Sequence, residues 1–295
     1  MGFVLAILLA FLMTLITASS NVILKKGFSK VEPFIAVYLS VVISTAFLWI
    51  LTFIFVPKSY FLNYKAIIVF AGIGCFAPAL IRTWTYYGIH KLGAGRAAPL
   101  RALTPFFAII MAIFFLKESP RPGIFFGILL IVSGVVLLSK KENSDFTHWK
   151  QIHLFYPVAA AVLAGCAANL RKYGLNLMPQ PIFASTIAAS SSLLILTVYV
   201  FLRYKKEDLL FFQHKNELKL LFIAALLTTI GEIVDLSALL YGKVSLVVPI
   251  FAVTPLAVVF LSRIFLKNHE IVTARLVCAS ILIILGISFA IINAL

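Results

Sequence analysis

Charge is what this sequence has least of. Only 12% of its 295 residues are charged, against about 25% in a soluble globular domain. Acidic residues are the scarcer sign, ten Asp and Glu beside 25 Lys and Arg. A soluble domain of this length is excluded for want of a polar surface. Period-two alternation is largely missing, which argues against a membrane β-barrel. The three cysteines, Cys75, Cys166 and Cys278, are odd in number and match no metal spacing. Each lies in an apolar run and reads as a small packing residue. There is no metal cluster, nucleophile–base spacing or glycine-rich phosphate loop, so neither an enzyme nor a cofactor is expected. The segment from Met1 to Thr17 lacks a basic lead and a small-residue cleavage site. It reads as a first spanning helix, not a signal peptide.

What is there is apolar: 62% of the chain, gathered in long runs. A helix needs roughly 20 apolar residues to cross a hydrocarbon core. In lipid the backbone must satisfy its own hydrogen bonds, so such runs are helical. We count about ten, at roughly 2–23, 33–56, 66–89, 94–115, 123–139, 154–174, 182–202, 219–240, 244–266 and 271–293. The expectation is an all-α, multi-pass protein of a cell (inner) membrane, surrounded by lipid. The net charge of +15 does not point to nucleic acid, because the basic residues sit mainly between the apolar runs, where snorkelling and topology account for them.

The longer charged connection at 140–150 bisects the chain and invites a search for a repeat. The fourth run holds Pro99-Leu100-Arg101-Ala102-Leu103-Thr104-Pro105, and the ninth holds Pro249-Ile250-Phe251-Ala252-Val253-Thr254-Pro255, at an offset of 150 residues. Phe115-Leu116-Lys117 and Phe265-Leu266-Lys267 recur at the same offset. Glu118 and Gly134 are echoed by Glu270 and Gly286, and Asn21 more weakly by Asn169. The chain divides into residues 1–139, a connection at 140–153 and residues 154–295. An odd number of spans per half sends the second half into the membrane from the opposite side. The product is two inverted five-helix repeats, an arrangement of transporters that places the substrate near the midplane.

These motifs carry a resemblance. With Thr104-Pro105, Thr254-Pro255, Phe-Leu-Lys-Glu at 115–118, Gly127, Gly134 and the Tyr87-Gly88…Gly93 link, the chain resembles the drug/metabolite transporter superfamily, in particular its EamA-type members with two five-helix halves. The resemblance covers essentially the whole chain. It implies a transporter of small metabolites with both termini in the cytoplasm, and says little about the substrate.

A charge in the middle of a span costs about 2.5 kcal/mol or more, so it marks a functional site or a pair. Arg82 lies eight residues before the end of the third run and Arg101 eight into the fourth, each roughly 12 Å deep. Glu232 stands 150 residues after Arg82, at the equivalent place in the eighth run, and Asp235 follows on the same helix face. Two arginines and two carboxylates are therefore expected to meet near the centre. They either lock helices together or line a substrate cavity. In the second case Arg82 and Arg101 clamp an anionic group, and Glu232 and Asp235 bind an amine or a coupling proton. Trp84 and Tyr86 follow Arg82 and could stack on a substrate, or simply pack. Arg96 is nearer the surface, as an entry-path residue or a snorkelling one. Asn21 and Asn169 either line the cavity or join helices. Pro99, Pro105, Pro249 and Pro255 bend the fourth and ninth helices and are candidate hinges.

Three functions follow from this. The first is a secondary transporter, an exporter or exchanger, moving a small polar metabolite such as an amino acid, another zwitterion or an organic anion. The second is a flippase or scramblase of an anionic lipid headgroup, read by the arginines. The third, a membrane enzyme, lacks supporting residues. Two fused halves can act as a monomer or pair as a homodimer. Orientation is in conflict. The basic residues of the connections at 25–30, 140–150 and 203–219 outnumber those on the other side, where Arg171 and Lys172 are counted. The positive-inside rule therefore places both termini outside, against the resemblance.

Overall fold

The computed structural model describes residues 2–27, 33–92, 97, 100–101, 103–119, 121–139, 151–203, 215–254, 256–258, 260–261 and 274–294. Among them all regular structure is helical. Helices α1 (Gly2–Gly27), α2 (Pro33–Phe55), α3 (Tyr64–Leu92), α4 (Thr104–Phe115) and α5 (Gly123–Ser139) make the first half. Helices α6 (Phe155–Leu177), α7 (Pro181–Arg203), α8 (Lys215–Tyr241), α9 (Val244–Ile250) and α10 (Ala274–Ala294) make the second. Each expected apolar run holds helix, the fourth, ninth and tenth being described in part. Six helices (α1, α2, α3, α6, α7 and α8) are long and apolar enough to cross a membrane. Their outward faces carry bare apolar side chains, Phe53 at 76% and Phe201 at 83% exposure. Water would penalise so much exposed apolar surface, and lipid does not.

Helix ends follow local chemistry. Pro33 and Pro181 open α2 and α7, where a missing N–H removes nothing. Asn63 accepts from the Ala66 amide at the start of α3 and donates to the Leu177 carbonyl at the end of α6 (2.9 Å), capping one helix of each half. Sequence reading started α8 too late. Lys215, Glu217 and Lys219 lie inside it, because a polar first turn can protrude from the bilayer without ending the helix.

The halves are inverted. Across the α2–α7 contact, Thr52 meets Thr186 (2.7 Å), Trp49 Nε1 donates to Ser190 (3.1 Å), and Thr197 reaches Tyr38 (3.4 Å). Rising numbers on one helix meet falling numbers on the other, so the pair is antiparallel. The α5–α10 contact does the same: Gly127 faces Gly286 and Ala290, and Gly134 faces Ala279 and Ile283. In both pairs the helices are repeat equivalents, and equivalents that run antiparallel belong to inverted halves. The other contacts exchange correctly, α1 on α8 with α6 on α3, and α4 on α6 with α9 on α1.

The α5–α10 seam depends on glycine. A Cβ on Gly127 would stand 2.6 Å from the Gly286 carbonyl oxygen, and one on Gly286 2.5 Å from that of Gly127. Small residues let membrane helices approach closely enough for dispersion to hold them. The α3–α7 contact is joined by a hydroxyl: Ser192 donates to the Gly74 carbonyl. Pro78, four residues after Gly74, has no N–H to offer that carbonyl.

Candidate functional site

Helix α3 is interrupted. Residues Tyr64–Phe76 are α-helical, Ala77–Ile81 form a π-helix containing Pro78, and Arg82 opens the α-helical remainder. A π-turn shifts the register of the following side chains, and Arg82 is the first of them. Its guanidinium donates to Ser40 and Ser44 of α2 (both 3.1 Å) and to Glu232 Oε2 of α8 (2.9 Å). Arg82 is 9% exposed. Ser44 also accepts from Thr229 (2.7 Å), so α2, α3 and α8 meet in one polar knot.

Glu232 uses its second oxygen as well. Arg171 of α6 donates to Glu232 Oε1 (3.2 Å) and to Asp235 Oδ2 (2.8 Å). The result is a row of alternating charge, Arg82–Glu232–Arg171–Asp235, tying three helices from both halves. Desolvating four charges is expensive, and mutual pairing with hydrogen bonds offsets it. Sequence reading missed Arg171 by counting it among the connecting charges, although the sixth run, 154–174, contains it. Helix α6 runs on to Leu177 and turns Arg171 onto the carboxylates. The usable signal was a charge inside an apolar run. Lys172 leaves the connection too, donating from Nζ to the Leu239 carbonyl at the end of α8 (2.7 Å).

Arg101 behaves differently. One Nη donates to the Ala160 carbonyl of α6 (3.0 Å), and among the described residues no carboxylate pairs with it. Just beyond it Thr104 donates to the Arg101 carbonyl (2.7 Å), and in the second half Thr254 donates to the Phe251 carbonyl (2.6 Å). Each carbonyl lies four residues before a proline of the repeat, Pro105 or Pro255. The proline cannot supply the helical N–H, and the preceding threonine hydroxyl supplies a donor instead. At Thr104 and at Thr254 the carbonyl three residues before the threonine is thus satisfied by its hydroxyl.

These groups surround a cavity of about 260 Å³ between the halves. Its walls come from equivalent elements: α1 and α6, α3 and α8, and the Thr104 and Thr254 bends. Arg82, Arg101, Arg171, Glu232 and Asp235 line it, with Thr17, Asn21, Thr85, Pro105 and Thr228; the rest of the wall is mostly alanine and aliphatic. Other candidates sit elsewhere. Tyr86 is buried beside Ser40 and Arg82. Trp84 packs edge-on against Phe155, centroids 5.6 Å apart. Asn169 donates to the Ala108 and Gly165 carbonyls (both 2.9 Å) and joins α6 to α4. Pro249 is buried in α9. Arg96, Pro99 and Pro255 lie outside the described residues.

Outside the cavity, two side chains hold the ends of α8 and α9. Lys117 adopts a left-handed conformation (φ 53°). It swings Glu118 across to α9, where the carboxylate accepts from the amides of Val244 (3.0 Å) and Ser245 (3.1 Å). Lys172 holds the carbonyl end of α8 just before the same bend. A carboxylate at a helix start and an ammonium at a helix end both match the helix dipole.

The profile of the EamA-like transporter family matches residues 4–140 and 151–292, nearly the whole chain. The chain belongs to the EamA-like transporter family. An uncharacterised protein of Methanocaldococcus jannaschii is 35% identical over 82 residues, 28% of this chain and 60% of that one. The similarity therefore spans less than two thirds of that relative's length. A solved crystal structure superposes with a TM-score of 0.77 at 15% identity, covering 98% of this chain and 97% of the other. That likeness is one of fold. Together they make this EamA-family chain a multi-pass membrane protein of a transporter family, built from two repeats.

Proposed function

We propose that the chain is a secondary transporter, an exporter or exchanger, that carries a small polar metabolite, a zwitterion or an organic anion, by alternating access. The observation that supports it most is the cavity itself: polar and ionised, and walled by equivalent elements of two inverted halves. Inverted halves have two conformations related by exchange of roles, which open the same site to opposite sides. The Thr104 and Thr254 bends are the hinges of this exchange. Glu232 and Asp235 are the groups able to take a coupling proton. Because both halves are in one chain, a monomer is sufficient and a homodimer is compatible. The groove beside Arg96 that a lipid-headgroup reading requires lies outside the described residues.

The test is counterflow in proteoliposomes loaded with unlabelled metabolite pools and supplied with labelled amino acids and organic acids. Exchange by the wild type, lost in Arg101→Ala and Glu232→Gln proteins that still fold, is the expected result. Unchanged exchange by both folded variants would overturn it.

A further inference from the structure

Among the described residues, the charges facing the cavity do not balance. Three cations, Arg82, Arg101 and Arg171, face two anions, Glu232 and Asp235. Of the nearby ionised groups, Glu118 is engaged with α9 amides and Lys172 with α8 carbonyls. Glu232 has both oxygens paired, Arg82 is bonded to Ser40, Ser44 and Glu232, and Arg171 bridges Glu232 and Asp235. Among the described residues, Arg101 and one oxygen of Asp235 lack an ionic partner. Arg101 has five N–H donors and makes one hydrogen bond, to a backbone carbonyl, among the described residues. Asp235 Oδ1 is buried with no donor among them.

We infer that the ligand of this cavity is a small hydroxycarboxylate of net charge −1, its carboxylate received by Arg101 and its hydroxyl donated to Asp235 Oδ1. Arg82 positions Glu232 and does not touch the ligand. The assignment rests on the transport reading only in taking this cavity as the substrate site. One negative charge balances the excess of one cation. A zwitterion brings none and leaves a guanidinium uncompensated in a low-dielectric interior. A phosphate monoester brings about −1.5 to −2 and overshoots. The cavity, about 260 Å³, falls below the roughly 300–1,000 Å³ of drug-sized sites, which favours a molecule of few carbons.

The experiment is a thermal-shift titration of the purified full-length protein in detergent, at constant ionic strength. The probes are lactate, propionate, alanine and glycerol phosphate, sharing a three-carbon skeleton. A ligand that binds the folded state raises apparent stability with the logarithm of its concentration above Kd. Lactate is expected to bind about tenfold or more tighter than propionate, because Asp235 Oδ1 is left unpaired by an analogue without the hydroxyl. Alanine and glycerol phosphate are expected to bind more weakly than lactate. Arg101→Gln should lower lactate affinity at least about tenfold, as loss of a charged hydrogen bond implies; Arg101→Lys should lower it less. Arg203→Gln, at the exposed end of α7, is the charge-matched control. Binding of alanine as tight as that of lactate, unchanged lactate binding by folded Arg101→Gln, or no response to any acid overturns the inference. Failures remain separable. Lactate binding through Arg101 without counterflow of any substrate sinks the transport reading alone. Counterflow of alanine that survives Arg101→Gln sinks this inference alone.

Discussion

Thr104 and Thr254 each stand before a proline and donate to the carbonyl that the proline leaves without its amide. The recurrence of Thr-Pro is legible in the sequence, but the use of the hydroxyl is not, since it depends on a side-chain rotamer. Replacing Thr104 by Val keeps the shape and removes the donor. Apparent stability in detergent should fall by about 1–3 kcal/mol, the desolvation of one orphaned carbonyl, while Thr104→Ser stays near wild type. Equal melting of the Val and Ser proteins would contradict this. The charged row makes a second prediction at this scale. Arg171→Gln leaves Glu232 and Asp235 facing each other without the guanidinium between them. The loss should reach about 3–5 kcal/mol. Removing Asp235 as well, by Asn, should recover part of it, and a double-mutant cycle on apparent melting measures the coupling. Additive effects of the two substitutions would show that the pair does not interact.

Helix α5 meets α10 through Gly127 and Gly286, each pressed on the other's backbone. Gly286→Ala puts a methyl where the Gly127 carbonyl lies, with backbone and not a flexible side chain in the way. The helices must part, and overpacking of this kind costs about 1–3 kcal/mol. Gly72→Ala, on α3 with nothing within 4 Å of its Cβ, should be neutral or slightly stabilising, since alanine has the higher helix propensity. Thermal unfolding of the two variants compares a seam glycine with a free one, and equal melting would argue against a tight α5–α10 seam. The turn at Lys117 belongs to the same scale. Phe-Leu-Lys was visible as a repeated motif, and the purpose of the glutamate after it becomes clear once Glu118 is found on the first amides of α9. Glu118→Ala should lower stability by about 0.5–2 kcal/mol, the range of a lost helix cap.

For the whole molecule, orientation follows from charge in the connections, and the structure changes the tally. Arg171 and Lys172 lie within α6 and bind carboxylates and carbonyls, so they no longer count among the connecting charges. The side bearing the 140–150 connection is then still more basic by comparison, and the positive-inside rule expects that connection in the cytoplasm. A single cysteine placed there, in a protein stripped of Cys75, Cys166 and Cys278, should react with a membrane-impermeant thiol reagent only after permeabilisation. Labelling of intact cells would reverse the orientation. Sequence alone determined the all-helical membrane fold and its two repeats, and set an expected depth for Arg82, Arg101, Glu232 and Asp235. These depend on hydrophobic run length, on a repeat offset and on a rise of 1.5 Å per residue, all linear quantities. Only the tertiary structure decided which charges pair. It drew Arg171, counted beforehand among the connecting charges, into the charged row and joined Arg82 to serines and Glu232. Among the described residues it left Arg101 without a carboxylate and one oxygen of Asp235 without a donor. Pairing depends on which faces of helices distant in sequence are turned toward one another, and a helical period specifies faces without specifying neighbours.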